Sequence, residues 1–241
     1  MTVSDSERLY FRQILSGQDF ARGDAVAQQM RNFVYLIGDR ETGKAAVVDP
    51  AYAVGDIIDI AAGDDMTITD VLATHYHPDH VGGDFMGHAV EGVADLLERL
   101  PDVRIHIQRV EQPWVTGVTS VSADQMVLHD SGDTVSIGAV DIELVHTPGH
   151  TPGSQCFYVQ DCLVAGDTLF LDGCGRTDFP GGDAGELYRS ITQRLAKVPD
   201  DTILFPGHLY SAQGHQELGV TRRNNHVFKP KTQEQWISMF G

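Results

Sequence analysis

The chain has 241 residues, 41% of them hydrophobic and 21% charged, with 34 acidic side chains against 17 basic ones. That size allows a substantial core in one large domain or two small ones, and a formal charge of −17 with no Lys/Arg stripe excludes nucleic-acid binding and disfavours anionic membranes. No window approaches the ~20 apolar residues needed to span a bilayer, residues 1–8 are polar rather than signal-like, and Cys156, Cys162 and Cys174 are too sparse for a disulfide framework, so a reducing, cytoplasmic setting is expected.

In chain order, apolar runs at 32–38 and 45–50 predict two strands around a polar turn at 39–44. Residues 54–62 have helical spacing, and 68–73 read as a short buried strand. Val93, Leu96, Leu97 and Leu100 predict a helix over 89–100 that Pro101 stops, followed by a strand at 103–107. The middle is β-rich, with strands expected at 126–128, 134–137, 140–145, 155–159 and 162–165 and turns at 131–133, 138–139 and 160–161. Leu187, Ile191 and Leu195 give a helix over 184–198, 202–205 is a last buried strand, and the tail over about 212–241 has room for a helix or two. This order suggests two β-rich layers with helices outside them, in one domain over 1–241.

The most specific feature is the run Thr74-His75-Tyr76-His77-Pro78-Asp79-His80, directly after the 68–73 strand. Neutral imidazole is the commonest metal ligand, and Asp adds a hard oxygen donor. His150 lies in a loop between two strands, Asp167 follows the strand ending at Ala165, and His208 follows the strand ending at Phe205. Each stands near Gly or Pro, which lets the backbone turn sharply and approach an ion. With two oxygens to offer, Asp167 is the natural bridge between two ions. Four such sites at strand ends point to one shared metal centre.

The ordered set His75, His77, Asp79, His80, His150, Asp167 and His208 resembles the metallo-β-lactamase superfamily, over nearly the whole chain. The resemblance implies an α/β fold, the four-layer αβ/βα sandwich, with metals at one edge between its sheets. It also implies one ion on His75, His77 and His150 and another on Asp79, His80 and His208, with Asp167 bridging. Within the superfamily, Asp167 stands where true β-lactamases commonly carry Cys, and His77 where flavodiiron proteins carry Glu. The RNA-processing nucleases need a basic surface, and alkylsulfatases are much larger. The stretch 165–170 and the run Gly173-Cys174-Gly175-Arg176-Thr177-Asp178-Phe179-Pro180-Gly181-Gly182-Asp183 are similar to the glyoxalase II and persulfide dioxygenase branch.

That branch implies a thioesterase of the hydroxyacylglutathione hydrolase type, acting through a metal-bridging hydroxide on two divalent ions, zinc first and Fe or Mn as alternatives. Asp79 would be the catalytic residue that orients the hydroxide, and Arg176, Tyr210 and Cys174 are candidate substrate-binding residues. The alternative is a persulfide dioxygenase with a single Fe on His75, His150 and Asp167; a second alternative is a lactonase or other ester hydrolase. The dioxygenases tend to carry Asp-Tyr-His after the last ligand, where this chain has Leu209-Tyr210-Ser211. Glyoxalase II enzymes carry a helical C-terminal domain that grips glutathione, whereas 33 residues follow His208 here. The stretch 87–119 is therefore expected to line the substrate mouth, with Trp114 as a candidate wall. His146 is a candidate for orienting a ligand through its ring N–H. The implied partner is a small-molecule thioester or ester, with no nucleic acid and no membrane, and a homodimer is compatible with the sequence.

Overall fold

Every residue of the strand Phe33–Asp39 is buried, on both of its faces. Phe33, Tyr35 and Ile37 enter one apolar core and Val34 and Leu36 another, as a strand covered on both sides requires. The computed structural model describes residues 8–241, so the polar stretch at 1–7 lies outside the described residues. In chain order the first half holds β1 (Leu9–Leu15), α1 (Ala25–Met30), β2 (Phe33–Asp39), β3 (Lys44–Val48), α2 (Val54–Gly63), β4 (Thr67–Leu72), α3 (Pro78–Val81), β5 (Gly83–Phe85), β6 (His88–Val90), α4 (Val93–Arg99), β7 (Arg104–Gln108), α5 (Gln112–Thr119) and β8 (Met126–His129). The second half holds β9 (Thr134–Ile137), β10 (Val140–His146), β11 (Gln155–Val159), β12 (Cys162–Gly166), α6 (Ala184–Arg189), β13 (Ile203–Pro206), β14 (Gln216–Glu217), α7 (Leu218–Asn224) and α8 (Gln233–Phe240).

Two six-stranded sheets result, in the orders β1-β2-β3-β4-β7-β8 and β14-β13-β12-β11-β10-β9. Side chains such as Tyr35, Ile37, Leu144, Phe157 and Phe205 fill the space between them. Ile57 of α2, Leu96 of α4 and Val115 of α5 cover the outer face of the first sheet. Leu187 of α6, Leu218 of α7 and Trp236 of α8 cover the outer face of the second. The architecture is a four-layer αβ/βα sandwich. Trp236 is fully buried, and its Nε1–H donates to the Val227 carbonyl at 3.0 Å, so the C-terminal helix packs as part of the outer layer.

Two expectations are corrected. Ala89 and Val90 are not helical: they belong to β6, which pairs with β5, and α4 begins only at Val93. The Gly92 N–H is capped there by Asp95 Oδ2 at 2.8 Å. The stretch 87–119, expected to line the substrate mouth, instead packs α4, β7 and α5 into the core.

Near the loops that follow β4 and β13, backbone bonds stitch the two sheets together. Phe33 N–H donates to Gly207 O at 2.8 Å and Gln155 N–H to Thr74 O at 2.9 Å. Just before α5, Glu111 is 1% exposed and fastens two further loops. Its Oε1 accepts from Tyr76 N–H at 2.9 Å and from the Thr151 hydroxyl at 2.6 Å, while Oε2 accepts from Gly153 N–H at 2.6 Å. In another contact between the sheets, Asp39 at the end of β2 accepts from Arg8 at 2.8 Å and from Ala139 N–H in the β9–β10 turn at 2.9 Å.

Glu111→Ala strands two buried backbone donors, the N–H groups of Tyr76 and Gly153, each costing about 1–3 kcal/mol when unpaired. A stability loss of about 3 kcal/mol is expected by thermal unfolding; an unchanged Tm would mean that other contacts hold the two loops. The Arg8 guanidinium holds the Asp39 carboxyl at about 2, against an ordinary 3.8. Because the folded value is depressed, this stabilisation is complete above about pH 4 and is lost as pH falls towards 2. Melts of wild type and Asp39→Asn should therefore differ at pH 5 and converge in the acid range; a pH-independent difference would contradict the assignment.

Candidate metal centre

β4 stops at Leu72, and Thr74 is held by Asp49, which accepts its N–H at 2.7 Å and its hydroxyl at 2.6 Å. His75 and His77 follow two residues apart, the spacing at which side chains in extended backbone leave on the same side. Pro78 then opens the single turn α3, where its missing N–H costs nothing, and that turn carries Asp79 and His80. His150 comes from the β10–β11 loop, Asp167 directly follows β12, and His208 follows β13.

These seven side chains come together; His77 is half-buried and the other six are buried. His77 Nδ1 lies 3.1 Å from His75 Nε2 and 3.0 Å from His150 Nε2. His80 Nε2 lies 3.2 Å from His208 Nε2, and Asp79 Oδ2 is 3.5 Å from each of those nitrogens. Asp167 stands between the two triads, with Oδ2 3.3 Å from His208 Nε2 and 3.7 Å from His150 Nε2, and Oδ1 3.5 Å from His80 Nε2. Each triad keeps its donor atoms within 4.8 Å of one another.

The far edges of the rings are fixed by neighbours. His150 Nδ1 faces the Arg176 carbonyl at 2.6 Å and His208 Nδ1 faces the Met30 carbonyl at 2.9 Å. A carbonyl only accepts, so each of those nitrogens carries the proton and Nε2 keeps its lone pair for the centre. His80 Nδ1 faces Asp49 Oδ2 at 2.9 Å, and His75 Nδ1 reaches the same carboxylate through the Thr74 hydroxyl, 2.9 Å away. Asp79 is oriented by Asn32, whose amide Nδ2 donates to Asp79 Oδ2 at 3.0 Å.

The electrostatics of the two triads differ. Burial, reinforced by the neighbouring imidazoles, pushes His75 well below its ordinary value. Burial and then His150 bring His77 down to about 3, and burial also lowers His150, so these rings are neutral lone-pair donors. Burial opposes charge on His80 and His208 too, but Asp79 and Asp167 outweigh it, raising His80 to about 10 and raising His208 as well. Burial likewise opposes ionisation of Asp79 and Asp167, and here the facing imidazoles win and lower both.

The arrangement fits metal ions. Among the described residues, no hydrogen-bond donor reaches the buried Asp167 Oδ1. A Cβ built on Gly207 would come within 2.3 Å of that oxygen, so the bare glycine leaves it room. Ring nitrogens crowded at 3.0–3.2 Å beside two carboxylates form a donor set that cations would share.

The centre opens into a cleft of about 740 Å³. Cys174 lines it, with burial pushing its thiol up to about 12, so the sulfur is a neutral wall atom. Tyr210 also lines it, stacked on His208 at 4.7 Å, with burial raising its hydroxyl pKa. Arg176 lines the mouth, but its guanidinium is bidentate to Asp178 at 2.9 and 2.5 Å, and its contribution to the centre is the backbone carbonyl behind His150.

Two expectations fail here. The mouth is lined by Asp84, Phe85 and Met86, just ahead of the stretch 87–119, while Trp114 stacks behind Tyr76 at 5.0 Å. His146 bonds the Pro152 carbonyl at 2.9 Å and no ligand ring. The sequence assigns no role to Asp49, Thr74 and Asn32, which orient His80, His75 and Asp79. Asp49 carried one usable signal, as an acid directly after the buried run of β3 and before Pro50, the setting shared by the candidate ligands.

Residues 29–208 match the model of the metallo-beta-lactamase superfamily. The "Probable polyketide biosynthesis zinc-dependent hydrolase BaeB" of Bacillus velezensis is 28% identical over 211 residues, 88% of this chain and 88% of its own length. A hydroxyacylglutathione hydrolase of Synechococcus sp. is 33% identical over 198 residues, 79% of this chain and 69% of its own. The crystal structure of ETHE1 from Myxococcus xanthus superimposes with a TM-score of 0.76 at 29% identity, covering 96% of this chain and 89% of that one. With all seven converging side chains inside the matched span, the chain belongs to the metallo-β-lactamase superfamily, on its glyoxalase II/persulfide dioxygenase branch.

Proposed function

We propose that this chain is a metal-dependent hydrolase of thioester or ester bonds, with a mechanism of the hydroxyacylglutathione hydrolase type. One observation carries the reading: two complete donor triads flank a shared carboxylate at the floor of a cleft. His75, His77 and His150 would hold one ion, Asp79, His80 and His208 the other, and Asp167 would bridge them; zinc is favoured by the name of the Bacillus relative. Two such ions would supply a water of lowered pKa and a Lewis acid for the substrate carbonyl.

The remaining work falls to the chain itself. Asp79, held by Asn32, would ligate the second ion and orient the attacking water. The buried walls keep bulk water from the ligand rings, which strengthens every interaction with charge developing on the carbonyl oxygen. A thiolate leaves without needing a strong acid, consistent with Tyr210 and Cys174 having raised pKa values and serving as walls. A second reading, sulfur oxidation at one iron on His75, His150 and Asp167, is favoured by the ETHE1 likeness.

Metal content of protein purified without added metal, together with O₂ uptake, separates the two readings. The hydrolase should carry about two ions per chain, hydrolyse thioesters and consume no O₂. Asp167→Ala should lose metal and turnover together, and full occupancy with normal turnover would refute its bridging position. His80→Ala should abolish hydrolysis, whereas an oxygenase using one iron on His75, His150 and Asp167 would keep most of its activity.

A further inference from the structure

β5 and β6 form a tight hairpin in which Phe85 pairs with His88, leaving Met86 and Gly87 at its tip. Both have positive φ, 56° for Met86 and 87° for Gly87. Such a two-residue turn favours Asn-Gly or Gly-Gly, because only small or locally hydrogen-bonding residues enter the left-handed region cheaply. Met86 is instead long, apolar and 93% exposed, and it lines the cleft. An apolar side chain held in strained backbone and facing water gains nothing from the folded protein alone. Strain of this kind marks places where a side chain is used.

The charges around the same cleft point the same way. Among the described residues, Arg176 is the single Arg or Lys lining it, and its guanidinium is already paired with Asp178. Asp84 and Asp172, both exposed, add negative charge to the lining. Asp172 meets His226 at 3.1 Å, and the acceptor contact of Asp84 is the backbone N–H of Gly87. Phe170 and Phe179 supply further apolar wall. A glutathione thioester presents two carboxylates to its binding site, and away from the metal centre this lining faces them with Asp84 and Asp172 and a single, already paired guanidinium, on a chain of net charge −17.

We propose that the cleft selects uncharged thioesters or esters with an apolar portion, and that Met86 at the hairpin tip is a specificity-determining residue covering that portion. The proposal rests on the hydrolase reading above: water adds to the carbonyl carbon, the C–S or C–O bond breaks, and a carboxylic acid leaves with a thiol or alcohol.

The test uses the full chain and keeps one acyl group while changing the carrier. Hexanoyl thioesters of N-acetylcysteamine and of glutathione are compared as substrates, and their non-hydrolysable hexyl thioethers by calorimetric titration. The uncharged compound should bind at least about tenfold more tightly and show a correspondingly higher kcat/KM. Met86→Gly should weaken the uncharged ligand about tenfold, chiefly in KM. Its Tm should lie at or above the wild type, because glycine relieves the left-handed strain. Tighter binding of S-hexylglutathione overturns the preference whatever the turnover, and an unchanged affinity in Met86→Gly overturns the role of that residue. Binding of the uncharged thioether with turnover of neither ester supports the preference and counts instead against hydrolysis.

Discussion

Everything in this molecule is arranged around one crowded cluster: five imidazoles and two carboxylates gathered in and around a buried space, with ring nitrogens about 3 Å apart. Left to themselves, such groups would spread into water, where each is solvated. The cluster persists because the donors are delivered by elements that cannot move independently. β4 and the turn α3 are tied into the first sheet, and β12 and β13 are paired in parallel in the second. The apolar layer between the sheets, with Tyr35, Phe157 and Phe205 in it, fixes their separation. Cations placed between the donors would give them a shared attraction, which would make the same crowding useful.

The supporting shell follows one plan. Each candidate ligand with an identified outer contact is held by a neighbouring group, on the far ring nitrogen for the imidazoles and on Oδ2 itself for Asp79. Asp49 serves His80 directly and His75 through Thr74; Asn32 serves Asp79; carbonyls of Arg176 and Met30 serve His150 and His208. These contacts choose the tautomer and the ring plane before any ion arrives. Glu111 does the same for backbone, holding the loops of His77 and His150 at a common distance.

Much of this was legible in the sequence for a definite reason. The candidate ligands sit directly after apolar runs, so the end of a strand and the start of chemistry coincide in the text of the chain. The failures have equally definite causes. Ala89, Val90 and Val93 fit a helical pattern, yet β6 finds a hairpin partner in Gly83–Phe85 and the cap at Gly92 starts the helix late. Glu111 and Asn32 act across 35 to 47 residues of sequence, and no local pattern carries such a contact. Arg176 was read by its guanidinium, whereas the carbonyl that every residue possesses is what meets His150.

The cross-sheet stitching at Phe33–Gly207 and Gln155–Thr74 carries a further meaning. His75, His77, Asp79 and His80 belong to the first half of the chain, and His150, Asp167 and His208 to the second. Neither half holds a full coordination set, so the centre is a property of the seam and comes into being only when the two halves dock. Ion affinity and cohesion of the sandwich are then one thermodynamic quantity viewed from two ends. In the proposed centre, whatever prises the halves apart would loosen the ions, and each ion bound would tie the two halves together across the seam.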